Sequence, residues 1–163
     1  APIPTGSFMV SLFWAGLLMG RFGIPIIQKS IKREKILIAL STLMAISLIA
    51  FNIIGFIGDG RIASAVAGIM VIFAGFGCSI IYPTIMSIIG DSFPQAQSEA
   101  VGFAAMGGGI GGFLFPYMMS AISTGWGIRT GFAIYAFFSL LMVVLNILLV
   151  RAQEQKSNSI SEL

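Results

Sequence analysis

The side chains able to do chemistry in this sequence are few, and most stand at the edges of apolar runs. Arg21 is the exception, because it lies inside the otherwise uncharged run Phe8–Ile27. An ionisable group within such a run costs about 2.5–3.5 kcal/mol to place in a bilayer, so it implies a partner, a ligand or a way out. Arg21 shares helical spacing with Ser7, Ser11, Trp14 and Leu18, a polar and aromatic stripe. Three roles are open to it. It can snorkel toward the surface where Lys29 lies, pair with Asp91 or Glu99, or meet a substrate or an acid carried by other helices.

A second cluster surrounds Pro83. A proline has no N–H, so the carbonyl of Ser79, one turn earlier, loses its helical partner beside Cys78 and Tyr82. Met70, Phe73, Gly77 and Tyr82 recur at helical spacing, which offers aromatic and small groups on one face. Bent helices near the bilayer midplane are where transport proteins place substrate contacts. The plainer role for Tyr82 is a hydroxyl paired with a neighbouring helix. Farther on, Gly102, Gly107, Gly108, Gly109, Gly111 and Gly112 crowd one run, with Gly107 and Gly111 at the spacing that lets membrane helices approach closely. Pro116 follows and frees the carbonyl of Gly112, so this segment is expected either to pack tightly or to slide and bend against a partner.

Several chemistries are excluded within these 163 residues. There is no histidine and one cysteine, Cys78, which leaves no His/Cys metal site, no Ser–His–Asp triad and no internal disulfide. None of the six acidic residues lies in an apolar run, which removes paired-carboxylate catalysis there. Neither an enzyme nor a cofactor-bearing protein is expected. The basic balance, pI about 9.4, does not imply nucleic acid, because the cations flank apolar runs where membrane topology accounts for them.

The elements that position these groups follow from hydropathy. The chain is 57% hydrophobic and 9% charged, with a mean hydropathy of +1.00. A soluble domain is roughly 25% charged. Five windows, 8–27, 36–57, 62–89, 100–122 and 130–150, contain every residue of the long apolar runs and a single charge, Arg21. Each is long enough for the roughly 20 helical residues that cross a bilayer. None alternates as barrel strands do. The expected fold is therefore an all-α membrane protein of five transmembrane helices, followed by a tail at 151–163.

Five crossings put the termini on opposite sides. The connections 28–35, 90–99 and 151–163 carry six basic residues, and the opposite set carries only Arg61 and Arg129. The positive-inside bias places the first set in the cytoplasm, so the N-terminal end is expected outside and the C-terminal tail inside. Residues 1–6 read as an interrupted loop, with further helices expected upstream. Gly90 and Pro94 stop the third span, Ser98 is placed to cap the fourth, and Glu99 lies at its positive end. The hairpin Gln28–Lys35 is first a topology anchor. Gly16, Gly20 and Pro25 are echoed 91 residues later by Gly107, Gly111 and Pro116, which is either chance or an internal repeat of the kind found in transporters.

Taken in order, these motifs resemble a known family. Phe13-Trp-Ala-Gly-Leu-Leu-Met-Gly-Arg21, then a proline, a basic hairpin and a second span, looks like the eighth and ninth helices of major facilitator superfamily transporters. Tyr82-Pro-Thr with Gly90-Asp-Ser-Phe-Pro94 is similar to the tenth, Gly107–Pro116 to the eleventh, and Thr130–Val150 to the twelfth. The resemblance covers nearly the whole chain. It implies most of one six-helix half of a twelve-helix transporter, with alternating access between two halves and with partners in a small solute, the bilayer and upstream helices of the same protein.

In that fold the tenth helix lines the cavity, the eighth and eleventh flank it, and the ninth and twelfth face lipid. The resemblance thus assigns substrate contact to Tyr82, Ser79 and Phe76, then to Trp14, Ser11 and Arg21, and to Met106, Phe113 and Tyr117. Arg21, Asp91, Glu99, Pro83, Gly107, Gly111 and Pro116 are the gating or structural candidates. The Phe-Trp-x-Gly-Leu-x-x-Gly-Arg and Tyr-Pro-Thr wording leans toward fucose-permease-like sugar:proton symporters of an inner or plasma membrane. A drug or metabolite antiporter is the alternative within the superfamily, and a five-span assembly subunit is the alternative outside it. One signature departs: the family's hairpin Gly-x-x-x-Asp-Arg-x-Gly-Arg-Arg has Lys29, Ser30 and Lys32 where its aspartate, first arginine and second glycine would fall. Its aspartate-based lock is not carried over, and no span holds a proton-coupling carboxylate.

Overall fold

The computed structural model describes residues 3–28, 31–57 and 60–161. Every regular element among them is an α-helix: α1 (Ile3–Ile27), α2 (Arg33–Ile57), α3 (Arg61–Cys78), α4 (Ile81–Ser92), α5 (Gln97–Trp126) and α6 (Ile128–Ser161). Five stretches, with α3 and α4 taken together, are long and apolar enough to cross a membrane. Lys29 and Ser30 of the basic hairpin, and residues 1–2 and 162–163, lie outside the described residues.

Four boundaries depart from expectation. The window 62–89 is not one helix but two, α3 and α4, separated at Ser79 and Ile80. Helix α1 begins at Ile3, so residues 3–6 are helical rather than loop. Helix α5 begins at Gln97 on an Ala96 N-cap with no side-chain cap, which puts Ser98 inside the first turn rather than at its cap. Helix α6 runs on to Ser161, so most of the expected tail is a continuation of the last span.

The α3/α4 break has a local cause. Ile80 adopts φ −117° and ψ 4°, outside the helical region, while the Ser79 N–H bonds back three residues to the Phe76 carbonyl at 3.2 Å. Pro83 then falls in the first turn of α4, where helical N–H groups have no partner to lose. The regular ladder resumes with the Thr84 N–H on the Ile80 carbonyl at 3.0 Å. A proline that would disrupt a continuous helix is accommodated by starting a new one.

Helix α3 packs against α1 and α2 on glycines. A Cβ on Gly16 would overlap the Ile72 carbonyl oxygen, and one on Gly75 would overlap the carbonyl oxygen of Phe13. A Cβ on Gly77 would come within 2.7 Å of the Leu40 carbonyl oxygen and 2.8 Å of the Met44 nitrogen. Glycine allows backbones to meet in this way because in lipid close van der Waals packing, not hydrophobic burial, holds helices together. Side chains fill the other half of the bundle. Ile24, Ile36, Leu40 and Ile80 join α1, α2 and α4, and Leu37, Ile81 and Ile88 meet Met142 and Leu149 of α6. Asn52 ties α2 to α6 through its Nδ2 donating to the Phe132 carbonyl at 3.1 Å, beside a T-shaped contact between Phe51 and Phe132.

Helix α5 is held differently. It has no buried residue, and among the described residues it touches α4 and α6 alone. Phe115 grips α6 by an edge contact with Phe138 (4.7 Å between centroids) and a tilted one with Tyr135 (6.3 Å). Gly108 accommodates the Tyr82 ring of α4.

Candidate functional site

Two features gather the residues singled out in the sequence: a cleft at the α3/α4 break, and exposed stripes carried separately by α1 and α5, with Tyr82 of α4 beside α5.

The cleft is built on the orphaned carbonyl of Ser79. Helix α1 crosses here, brought close by Gly20, whose missing Cβ leaves room for the Ser79 side chain. The same approach carries Arg21 across, and its Nε donates to the Ser79 carbonyl oxygen at 3.5 Å. The bond is long. Its logic is nonetheless complete: the chain leaves the helix at Ser79 and Ile80, Pro83 has no N–H with which to continue the ladder to the Ser79 carbonyl, and a cation from the adjacent helix supplies a donor instead. Around them lies a cleft of about 410 Å³ lined by Gln28, Pro25, Pro83, Thr84, Ser87 and the two arginines, Arg21 and Arg33.

The expected pairing of Arg21 with Asp91 or Glu99 is corrected by this geometry. Asp91 accepts from the Arg33 guanidinium, which also donates to the Ser87 hydroxyl at 3.0 Å and to Glu34 at 3.1 Å. Glu99 is exposed in the first turn of α5. Arg33 is the residue that sequence reasoning missed. It was read as one cation of a topology anchor, whereas it closes α2 onto α4. The signal in the sequence is opposite charge at the ends of two spans, which Arg21 also satisfies. Gln153 makes a second polar tie at this end, donating to the Ser92 hydroxyl at 2.7 Å.

Of the assigned substrate contacts, Ser79 is buried and Phe76 half-buried. Phe76 packs against the Ile24, Ile36, Leu40 and Ile80 cluster, and the Ser79 side chain is 2% exposed. The shared face expected of Met70, Phe73, Gly77 and Tyr82 is also divided. Gly77 is buried against α2, and Tyr82 lies beyond the break, exposed and beside α5. A change of helix at Ser79 resets the angular register, so spacing counted through it does not hold.

The remaining candidates are exposed. On α1, the stripe Ser7, Ser11, Trp14, Leu18 and Arg21 lies opposite the face that packs on α3. Ser11 donates to the Ser7 carbonyl at 3.2 Å, so its hydroxyl is held to its own helix. On α5, Phe103, Met106, Ile110, Phe113 and Tyr117 form an exposed apolar and aromatic stripe at spacings of three and four. Gly107 has open space around it, and Gly111 approaches only the Phe115 ring of its own helix. Pro116 stays within an unbroken α5. Tyr82 sits between the α1 and α5 stripes in chain connectivity, since α1 and α5 do not touch among the described residues and the α3–α4 segment contacts both. No cluster of metal-ligating side chains occurs among the described residues.

Comparison with known proteins agrees with this architecture. Residues 2–162 match the family model of the Major Facilitator Superfamily. This chain belongs to that superfamily and is a multi-pass membrane protein. Over 111 residues it is 32% identical to a Helicobacter pylori protein that carries the provisional name glucose/galactose transporter. That match takes in 68% of this chain and 25% of the relative, so the chain spans about a quarter of its relative's length. No solved structure matches the chain.

Proposed function

We propose that this chain forms part of a secondary transporter that moves a small solute, a sugar or a sugar-like molecule, by alternating access. The observation that carries the proposal is the interrupted third span, whose orphaned Ser79 carbonyl meets a cation from α1. Interrupted helices with unwound carbonyls are the usual construction of solute sites in secondary transporters. The name of the Helicobacter pylori relative supports a hexose as solute. The sugar:proton symport of the fucose-permease-like subgroup is the corresponding coupling.

In this reading Tyr82, Trp14, Arg21, Met106, Phe113 and Tyr117 line the solute path, with aromatic rings to stack on sugar faces and the guanidinium to bind hydroxyls. The other half of the transporter stands across that path, against the exposed stripe of α5. In the same reading the Arg33–Asp91 end of the bundle lies in the cytoplasm, at an inner or plasma membrane, a reading that the basic connections support.

The test is radiolabelled glucose and galactose uptake by the full-length protein in cells or proteoliposomes. Tyr82→Phe and Trp14→Ala are expected to lower uptake with normal membrane expression. Unchanged uptake in both variants would overturn the assignment of the path, and no uptake of either sugar by the parent protein would overturn the substrate.

A further inference from the structure

A second cleft lies between the N-terminal turn of α2 and the stretch of α6 from Ile147 to Glu154, with a volume of about 790 Å³. Its polar rim holds Lys32, Arg33, Glu34, Lys35, Arg151 and Glu154. Its remaining wall includes Ile38, Ile147 and Val150, which belong to the membrane-spanning parts of α2 and α6. The cleft thus changes from charged to apolar along the direction in which a bilayer changes from headgroup to chain.

The charges on the rim are not balanced. Arg33 and Glu34 pair with each other, and Arg33 also pairs with Asp91. Among the described residues Lys32, Lys35 and Arg151 form no ion pair, although Lys32 acts electrostatically on Glu34, and Glu154 is the other carboxylate facing them. Four cations against two carboxylates leave the rim of this amphipathic cavity net positive, a charge that a bound anion would offset. The Arg21 cleft differs in that both of its cations already hold protein partners.

We propose that the α2/α6 cleft binds the headgroup of an anionic phospholipid. The phosphate lies among Lys32, Lys35 and Arg151, and the acyl chains run down past Ile38, Ile147 and Val150. The charge complementarity selects an anionic over a zwitterionic headgroup, and the apolar wall selects a lipid over a free anion. Basic pockets between transmembrane helices, on the cytoplasmic side, recognise lipids by this combination. A bound lipid would bridge α2 to α6 at the end where α6 extends beyond the bilayer, which stabilises that end by mass action.

The experiment is native mass spectrometry of the full-length protein titrated with phosphatidylglycerol or phosphatidylcholine, with thermal stability read in parallel. The parent protein is expected to retain phosphatidylglycerol in preference to phosphatidylcholine and to be stabilised by it. The double variant Lys35→Gln/Arg151→Gln should bind phosphatidylglycerol about thirtyfold more weakly, from roughly one surface charge's contribution at each position. Arg61→Gln, at the opposite end of the bundle, should behave as the parent. Lys32→Gln alone, at about fivefold weaker, decides the matter if the double variant does not fold. Equal retention of the two lipids, unchanged binding in the variants, or equal weakening by Arg61→Gln would overturn the site. Stabilisation by inorganic phosphate equal to that by phosphatidylglycerol would overturn the lipid as its occupant.

Discussion

Gly16, Gly20 and Pro25 in α1 share their spacing with Gly107, Gly111 and Pro116 in α5, yet the two sets have opposite surroundings. In α1 the glycines are buried at a backbone-to-backbone crossing with α3. In α5 Gly107 is exposed to open space and Gly111 meets only its own helix's phenylalanine. The difference lies in the partner. Helix α3 presents Gly75 to α1, so two small surfaces face each other, whereas α5 is gripped through Phe115 on another face. A small-residue motif therefore marks a surface that can be approached closely, and the neighbouring helix decides whether it is. The glycines of α1 fix a rigid joint, and those of α5 leave a smooth, uncovered surface beside an aromatic stripe.

The largest effect expected from this contrast is at the joint. Gly75→Leu or Gly16→Leu forces α1 away from α3 and should cost about 3 kcal/mol or more, seen as loss of monodisperse, folded full-length protein. Gly107→Leu should leave the melting curve within about 0.5 kcal/mol of the parent. If Gly107→Leu melts as Gly75→Leu does, the contrast between the two helices is broken. Uptake should separate them in the opposite sense, since Phe113→Ala is expected to reduce transport several-fold at normal stability.

A smaller effect sharpens the account of the α3/α4 break. Arg21→Gln removes the donor to the Ser79 carbonyl and should cost about 1 kcal/mol by thermal denaturation. Pro83→Ala restores an N–H that can take that carbonyl into a continuous helix. In the Pro83→Ala background Arg21→Gln should then cost close to nothing, so a double-mutant cycle is expected to be strongly non-additive. Additive costs would show that Arg21 and the proline act separately. The smallest effect belongs to the exposed Arg33–Asp91 pair. Asp91→Asn should cost at most about 1 kcal/mol and less at high salt, measured as melting temperature against ionic strength.

The five crossings were legible because each apolar run must satisfy its backbone within a helix, a constraint that hydropathy alone exposes. The weak point at Pro83 was legible too, though its consequence, two helices in place of one, was not. That outcome depends on whether neighbours hold the bend, and here Arg21 and Ile24 of α1 with Ile36 and Leu40 of α2 do so, packed around Ser79 and Ile80. Charge pairing was misjudged for a related reason. Arg21 and Arg33 both lie toward the same end of the bundle as Asp91, and which one meets it is decided by the crossing of α1 over α3 and by the register of α2 on α4. Neither is written in a linear spacing. The Arg21–Ser79 contact, by contrast, draws on three features visible in the sequence (the proline, the lone cation and Gly20), but only the crossing brings them together.

The central claim is that the exposed α5 stripe lines a water-filled solute path and is not a lipid-facing surface. Labelling by a membrane-impermeant maleimide tests it most directly, with Met106→Cys and Tyr117→Cys introduced singly into the full-length protein on a Cys78→Ser background. The account predicts labelling from water at both positions and protection by the transported sugar. Labelling only by a lipid-soluble reagent, unaffected by sugar, would contradict it.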